Sequence, residues 1–149
     1  MGNAQIRQQD RTMRQPVVSV VIPTYNRPSQ LARCLDGLAE LAYPQNYFEV
    51  IVVDDGGSLD LTPATARHRN QLNLTLLRQP RGGPGAARNT GAAVAQGDLI
   101  AFLDDDCRPA QDWLLRLTTC FSLETEQRSA RLPNRLIGGP IFNALPHNP

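Results

Sequence analysis

Four apolar segments of this chain each end in polar or acidic residues, and this repeated arrangement constrains the fold more than any other feature. Valine, isoleucine and leucine dominate these segments, and in most of them apolar and polar residues do not strictly alternate. This pattern is typical of strands covered on both faces of a sheet. The predicted strands lie at 17–22, 48–53, 72–77 and 99–103. Leucine spacing and boundaries at proline and glycine predict the helices that separate them. These predicted helices lie at 28–41, 61–70, 82–95 and 109–121.

Strands that alternate with helices predict an α/β fold: a Rossmann-like, mainly parallel sheet with right-handed crossovers and helices on both faces. A chain of 149 residues is long enough for one such domain. We therefore expect a flexible polar tail at 1–16 and a single domain at 17–149. Leu136 and Ile137 are candidates for a fifth strand, after an exposed loop at 124–134.

Three polar groups follow three different predicted strands, at 25–27, 54–55 and 104–106. Ligands of parallel α/β sheets bind beyond the carboxyl ends of the strands. Because those ends share one edge of the sheet, we expect the three groups to meet there.

The charge and cysteine content argue against several classes of partner. Fifteen arginines, no lysine and fourteen acidic residues give a net charge of +1, so no overall field attracts nucleic acid or an acidic membrane. The three cysteines show no C-x-x-C spacing, which argues against a zinc cluster or a disulfide framework and fits a reducing compartment. Neither a signal peptide nor an apolar run of about 18 residues is evident. We expect a cytoplasmic chain, with membrane association only through regions beyond Pro149.

Asp104, Asp105 and Asp106 follow the apolar segment at 99–103. Three adjacent carboxylates repel each other and are costly at a strand end unless a cation neutralises them. Carboxylates favour hard cations, and Mg²⁺ commonly combines one or two of them with water and substrate phosphates. The triplet therefore predicts a Mn²⁺ or Mg²⁺ site. The alternative is a solvated turn that caps the helix after Pro109.

Asp54 and Asp55 end the second predicted strand. An acid at this position of a Rossmann-like sheet can accept hydrogen bonds from a ribose hydroxyl or a base N–H. Asp followed by glycine also favours a tight turn. The two acids can divide these roles between them, so both are candidates for nucleotide binding.

A glycine-rich turn at 82–85 precedes the predicted helix that contains Arg88. Backbone N–H groups and the positive end of a helix can bind a diphosphate, and Arg88 is near enough to contact the same charge. The alternative is a flexible loop with a surface arginine. The turn imitates the G-x-G-x-x-G dinucleotide fingerprint, but Arg88 stands where the third glycine is needed. The turn is also the third βα connection rather than the first.

Trp113 has helical spacing with Leu114 and Leu117, which indicates core packing rather than a sugar-binding platform. His68 and His147 have no partner at metal-ligand spacing, and we expect both on the surface. No Ser-His-Asp or Cys-His arrangement is evident.

Four short segments, at 18–27, 52–56, 85–91 and 102–106, occur in an order that resembles family 2 glycosyltransferases of the GT-A fold, over about 17–125. The resemblance implies transfer of a sugar from a nucleotide diphosphate donor, commonly a UDP-sugar, to an acceptor hydroxyl with inversion at the anomeric carbon. The acceptor, a saccharide, lipid or protein, is not identified by the sequence. Cell-wall or polysaccharide biosynthesis is the expected context.

The resemblance also implies roles for the first two polar groups. Asp55 or Asp54 would hold the base or the ribose of the donor. The turn after the first strand would line the uracil pocket, through Pro23, Thr24, Tyr25 and Asn26.

Similar roles are implied for the glycine-rich turn and the acid triplet. Gly85 and Arg88 would contact the nucleotide, and the triplet resembles the D-x-D motif. Asp106 would be the direct metal ligand. Asp104 would lie near the ribose or sugar and serve as a second ligand, and Asp105 would share in part the direct metal-ligand role of Asp106.

Two departures from the family pattern affect the interpretation. Gly57 stands where Gly-Ser or Asn-Ser often follows the two acids, and Ser58 comes one place later. The sequence also ends before the acidic general base and the acceptor-binding elements of family members. We therefore expect a donor-binding half, truncated before the acceptor-binding half, that turns over poorly or not at all alone. In-line attack by the acceptor, with metal and helix N–H groups stabilising the departing diphosphate, is the expected mechanism.

A nucleotidyltransferase and a non-catalytic nucleotide-binding module are the alternatives. The first is expected to have a lysine in a glycine-rich loop of its first βα turn. A receiver-like module is expected to have a lysine at its fifth strand. The chain has no lysine, so the glycosyltransferase hypothesis is preferred.

Overall fold

The computed structural model describes residues 18–126, which form four strands and four α-helices. The strands are β1 (Val18–Thr24), β2 (Phe48–Asp54), β3 (Leu74–Arg78) and β4 (Leu99–Phe102). The helices are α1 (Pro28–Ala39), α2 (Thr62–Ala66), α3 (Pro84–Val94) and α4 (Trp113–Glu126), with a short 3₁₀ helix, Gln45–Tyr47, before β2. The predicted tail at 1–16 and the predicted fifth strand lie outside the described residues, and the division into tail and domain stays a prediction.

The four strands form one sheet in the order β3-β2-β1-β4. All three strand pairs are parallel, which confirms the predicted α/β fold. Strand β1 lies between β2 and β4, and all seven of its residues are buried. Its non-alternating apolar sequence is explained by this central position, because helices cover both of its faces.

Each face of the sheet packs against its own helices. Leu31 and Leu35 of α1 and Leu114 of α4 belong to the larger core cluster on one face. Ala87 of α3 packs against the smaller cluster on the other. Helix α3 lies very close to the sheet at Gly91, since a Cβ there would be 2.4 Å from Val21 Cγ1. The small residues of α3 are therefore required by close packing.

Helix α4 begins at Trp113, four residues later than predicted. The preceding segment packs across α1 instead of starting a helix. Gly37 makes room for it, because a Cβ on Gly37 would lie 2.8 Å from Arg108 Cγ. The Ala42 N–H donates to the Gln111 carbonyl over 2.8 Å and fixes the same segment. Residues 124–126 belong to α4, so the expected loop at 124–134 is wrong for these three positions. The rest of that loop lies outside the described residues.

The expectation that His68 lies on the surface is wrong, because His68 is only 2% exposed. Helix α2 is also shorter than predicted, and His68 follows its end. Nδ1 of the ring lies 2.9 Å from the Ala64 carbonyl oxygen, and Nε2 lies 2.9 Å from Asp36 Oδ1 on α1. This hydrogen bond lowers the pKa of Asp36. A histidine that is isolated in sequence thus joins two helices. Trp113 packs against the core as predicted, whereas His147 lies outside the described residues.

Candidate functional site

The carboxyl ends of β1, β2 and β4 meet at one polar cavity of about 350 Å³. The cavity is lined by Pro23, Thr24, Tyr25, Arg27, Asp55, Pro84, Arg88, Asp104, Asp105 and Asp106. The structure thus brings together residues from all three polar groups and from α3. Their roles toward a ligand stay predictions.

The side chain of Asp105 faces the protein interior, unlike the side chains of the two acids that flank it. Its side chain is 6% exposed, and its Oδ2 accepts a hydrogen bond from the hydroxyl of Thr24 at the end of β1 over 2.7 Å. Arg27 donates to Oδ1 over 3.3 Å. The middle acid therefore joins the loop after β4 to the end of β1.

Asp104 and Asp106 are open to solvent, with side chains 57% and 58% exposed. Asp104 Oδ1 accepts a hydrogen bond from Arg88 of α3 over 2.7 Å. Asp106 Oδ2 lies 3.7 Å from Arg27 Nη1. The outer carboxylates of the triplet are thus accessible from the cavity. Two guanidinium groups partly offset their charge.

Cys34 of α1 lies beneath the acid triplet. Its thiol donates to the Asp104 carbonyl across 3.7 Å. Burial, followed by the electrostatic effects of Cys107 and of the three acids, raises the pKa of the Cys34 thiol to about 12. The thiol therefore stays protonated near neutral pH, which suits a structural contact and not a nucleophile.

Asp55 lines the cavity and also anchors the glycine-rich loop. Its carboxylate accepts hydrogen bonds from the N–H of Gly82 over 2.8 Å, the N–H of Gly83 over 2.8 Å and the Gln79 amide over 2.7 Å. The Gly82 bond is the main cause of a pKa of Asp55 below its usual range. The carboxylate is therefore ionised at neutral pH. Two of the loop N–H groups predicted to bind phosphate donate to this carboxylate instead.

Asp54 lies outside the cavity lining and holds the turn that follows β2. Its Oδ1 accepts a hydrogen bond from the Gly57 N–H over 2.9 Å, and its Oδ2 lies 3.6 Å from Arg78 Nε. Gly57 has no space for a side chain, because a Cβ there would be 2.6 Å from Asn26 Oδ1. The turn chemistry expected of one acid is thus observed for Asp54.

Asn26 is also placed outside the lining. Its backbone adopts a φ of 53°, a left-handed conformation that asparagine tolerates better than most residues. Its Oδ1 accepts a hydrogen bond from the Leu59 N–H over 3.0 Å. Asn26 therefore connects the turns after β1 and β2.

Helix α3 begins directly beside the cavity. Gly83 precedes it with a φ of 86°, in the region where only glycine is unstrained. Pro84 occupies the first turn, where a missing N–H costs nothing. Gly85 follows and is not part of the lining. The positive end of α3 therefore lies near the cavity.

Two arginines at the site were not identified from the sequence pattern as binding residues. Arg27 lines the cavity, and Arg81 lies with its guanidinium carbon 4.4 Å from the centroid of the Tyr25 ring. Such a stack is typical of a cation–π contact. The position of Arg27 within the polar group at 25–27 was a usable signal, whereas the contact of Arg81 with Tyr25 joins distant parts of the chain.

Among the described residues, no group of three or more His, Cys, Asp or Glu side chains is placed to hold a metal ion. In the same part of the chain, no helix is long and apolar enough to cross a membrane.

A parallel α/β sheet with a polar cavity beyond its strand ends is the arrangement of a ligand-binding domain of the Rossmann-like class. The family model described as glycosyl transferase family 2 matches residues 19–123. The chain belongs to this family.

Curated relatives and solved structures agree with this assignment. The chain is 43% identical over 104 residues to glycosyltransferase AglE of Haloferax volcanii, and the matched region covers 68% of the chain and 34% of AglE. It is 39% identical over 101 residues to hyaluronan synthase of Pasteurella multocida, and this match covers 65% of the chain and 10% of the synthase. The chain thus spans about a third, or less, of the length of these relatives.

Two solved structures are similar in fold. Residues 1–349 of S. aureus TarS in complex with UDP-GlcNAc superpose with a TM-score of 0.66 at 32% identity, over 73% of this chain and 32% of that one. The mannosyltransferase PcManGT of Pyrobaculum calidifontis, in complex with GDP-Man and Mn²⁺, gives a TM-score of 0.64 at 31% identity, over 74% and 33%. The fold is therefore the GT-A type that the sequence predicts.

Proposed function

We propose that this chain binds the nucleotide-sugar donor of an inverting, metal-dependent glycosyltransferase, with a UDP-sugar as the expected donor. One observation carries the proposal: the segments after β1, β2 and β4 and the first turns of α3 supply Tyr25, Asp55, Asp106 and Arg88 to a single cavity. A nucleotide diphosphate needs a base site, a cationic contact and a metal-binding acid within a short distance. We assign these three functions to residues that line the cavity.

The base is assigned to the end of the cavity near Tyr25 and Asp55. An ionised carboxylate only accepts hydrogen bonds, so Asp55 favours a base with a ring N–H, such as uracil or guanine. Cytosine presents an acceptor at the corresponding ring nitrogen. The similar structures contain UDP-GlcNAc in TarS and GDP-Man in PcManGT, and both of these nucleotides carry such an N–H.

The outer acids fit a divalent metal. Asp104 and Asp106 are exposed carboxylates in the cavity lining, and Mg²⁺ typically needs only one or two protein carboxylates when water and phosphate complete its shell. We assign Asp106 as the direct ligand and Asp104 as the second. When bound, Mn²⁺ or Mg²⁺ would neutralise charge on the diphosphate. Asp105 is not assigned to the metal, because Thr24 and Arg27 already bind its carboxylate.

The remaining residues bind and orient the leaving group. Arg88 lies one turn inside α3, and its guanidinium can exchange Asp104 for a phosphate oxygen. Together with the positive end of α3, it stabilises the charge that the diphosphate gains as the glycosidic bond breaks. Inversion requires the acceptor hydroxyl to attack from the opposite face of the sugar. We assign no described residue as the base for that step, and the identity of the acceptor is not proposed.

Isothermal titration calorimetry of the chain with UDP, GDP and CDP tests the proposal. We expect UDP or GDP to bind in MnCl₂ and to bind more weakly in EDTA. CDP should bind about tenfold or more weakly than UDP, since one hydrogen bond to a charged group is lost. Equal UDP affinity in MnCl₂ and EDTA would show that the acid triplet is only a surface turn. No binding of any of the three nucleotides would refute the proposed function.

A further inference from the structure

Gln79 lies directly after β3, in the loop that leads to α3. Its side-chain Nε2 donates to Asp55 Oδ1 over 2.7 Å, and its Oε1 accepts a hydrogen bond from the Thr90 hydroxyl. Its backbone N–H donates to the Asp54 carbonyl over 3.0 Å. Gln79 therefore connects the end of β2, the glycine-rich loop and α3.

The Asp55 carboxylate determines which way the Gln79 amide faces. A glutamine amide has a donor nitrogen and an acceptor oxygen, whereas an ionised carboxylate only accepts. Nε2 is therefore the atom that faces Asp55, and Oε1 accepts from the Thr90 hydroxyl. The reverse orientation would place two acceptors against each other at Asp55. A residue of α3 thus anchors the far end of an amide whose near end binds the residue that follows β2.

The hydrogen bond from Gln79 to Asp55 also affects which carboxylate oxygen of Asp55 can accept a further hydrogen bond. Oδ1 accepts from Gln79 and from the Gly82 N–H, which uses both of its lone pairs. Oδ2 accepts from the Gly83 N–H and retains about one acceptor position. The contacts among the described residues therefore reserve Oδ2 for one further donor.

Resting on the donor-binding function proposed above, we propose that Gln79 is a positioning residue for the nucleotide. Anchored at its far end by Thr90, it holds the Asp55 carboxylate in the place from which Asp55 binds both the glycine-rich loop and the nucleobase. Gln79 itself is not part of the cavity lining, so its effect on the nucleotide passes through Asp55. The same hydrogen-bond chain couples base binding to the loop that precedes Arg88.

The substitution Gln79→Glu tests this role with little change in shape. It places a second carboxylate against Asp55, and the two like charges disfavour the observed contact. At pH 7 with MnCl₂, we expect the Kd for UDP to rise about 10- to 100-fold, as for loss of a hydrogen bond to a charged group. The matched control is Gln71→Glu, because Gln71 is exposed. It should change the Kd by no more than about twofold.

Thr90→Val tests the anchoring of the amide. Valine has nearly the shape of threonine but cannot donate to Gln79 Oε1, so the amide is free to rotate away from Asp55. We expect a smaller rise in the Kd for UDP, about 3- to 10-fold. Thr75→Val, at an exposed position of β3, is the control for the same chemical change.

The pH dependence distinguishes positioning from a general loss of structure. In Gln79→Glu, lowering the pH from about 8 to about 5 increases the protonated fraction of the facing carboxyl pair and should restore part of the UDP affinity. Arg81 is the charged residue that acts on Asp55, and its charge is constant over this range. The neighbouring Asp54 has its own partner in Arg78. The wild-type Kd should vary less than that of Gln79→Glu.

Amide hydrogen exchange of Gly82 and Gly83 in the 149-residue chain gives a readout without nucleotide. Both amides should exchange faster in Gln79→Glu than in wild type. Wild-type affinity and wild-type exchange in both Gln79→Glu and Thr90→Val would overturn the positioning role and leave the donor site standing. An affinity loss in Gln79→Glu that is equal at all pH values would also overturn it. A wild-type chain that binds neither UDP nor GDP would overturn the proposed function, and this inference with it.

Discussion

Removing the middle acid of the triplet should destabilise the protein, whereas removing the last acid should not. Asp105→Ala takes away the acceptor of the Thr24 hydroxyl, which is buried at 3% exposure and bonded over 2.7 Å. A buried donor left without a partner costs about 1–3 kcal/mol. The contact with half-exposed Arg27 adds at most about 1 kcal/mol. We expect a total loss of about 2–3 kcal/mol in the free energy of unfolding.

Asp106→Ala is the matched comparison. Its carboxylate is 58% exposed and lies 3.7 Å from Arg27, so the lost ion pair contributes little. The substitution also relieves repulsion among three adjacent carboxylates. The free energy of unfolding should therefore stay within about 0.5 kcal/mol of wild type, or rise slightly.

Thermal unfolding in EDTA at pH 7 measures both effects without a contribution from metal. At about 4 °C per kcal/mol for a domain of this size, Asp105→Ala should lower the Tm by about 8–12 °C, and Asp106→Ala should leave it nearly unchanged. Thr24→Val removes the same hydrogen bond from the other side. Because the two residues share one interaction, the double variant should lose less than the sum of the single losses.

Two results would refute this reasoning. Equal losses in Asp105→Ala and Asp106→Ala would mean that the inward and outward orientations of the two acids are wrong. Strictly additive losses in Thr24→Val and Asp105→Ala would mean that the 2.7 Å contact contributes no stability of its own.

Three further predictions concern packing, acid stability and the metal. Gly91→Ala should lower the free energy of unfolding by about 1–3 kcal/mol through overpacking, because the new Cβ would lie 2.4 Å from Val21 Cγ1. Gly85→Ala is the control, because there is open space at its Cβ. A higher Tm for Gly91→Ala would contradict the close packing of α3. The pKa of Asp55 is lowered in the folded protein. Its contribution to stability is therefore present above the unfolded pKa of about 4 and is lost as the pH falls through the folded pKa. In chemical denaturation, Asp55→Asn should lose less stability below pH 4 than wild type does. Asp106→Asn should weaken Mn²⁺-dependent binding of UDP but not of uridine, which has no phosphate; calorimetry showing equal losses for both would exclude the metal role.

The architecture was predictable because its signals are local. The apolar run that forms β1 and the proline that starts α3 each act within a few residues. The rule that strand ends share one edge then places Tyr25, Asp55 and Asp106 together without any knowledge of side-chain contacts. Strand bounds were correspondingly close, with β2 observed at Phe48–Asp54 against a prediction of 48–53.

The different orientations and partners of the site residues were not predictable, because they depend on contacts between distant parts of the chain. The sequence shows three adjacent acids, and it does not show that Asp105 is the buried one, which binds Thr24 from a distant part of the chain. The burial of His68 depends in the same way on Asp36 of a different helix. Gln79 gave no signal at all, since a lone glutamine after a strand is ordinary until Asp55 and Thr90 are placed beside it.

The hydrogen bond between Thr24 and Asp105 also has a consequence for the order of events during synthesis. The two residues are 81 positions apart, so at a ribosomal rate of about 5–20 residues per second the acid is made roughly 4–16 s after its partner. Strand β4 is translated just before this acid, so β1 can gain β4 as a neighbour before its last hydroxyl gains an acceptor. The nascent chain therefore acquires its candidate donor site late, after all four described strands have been translated.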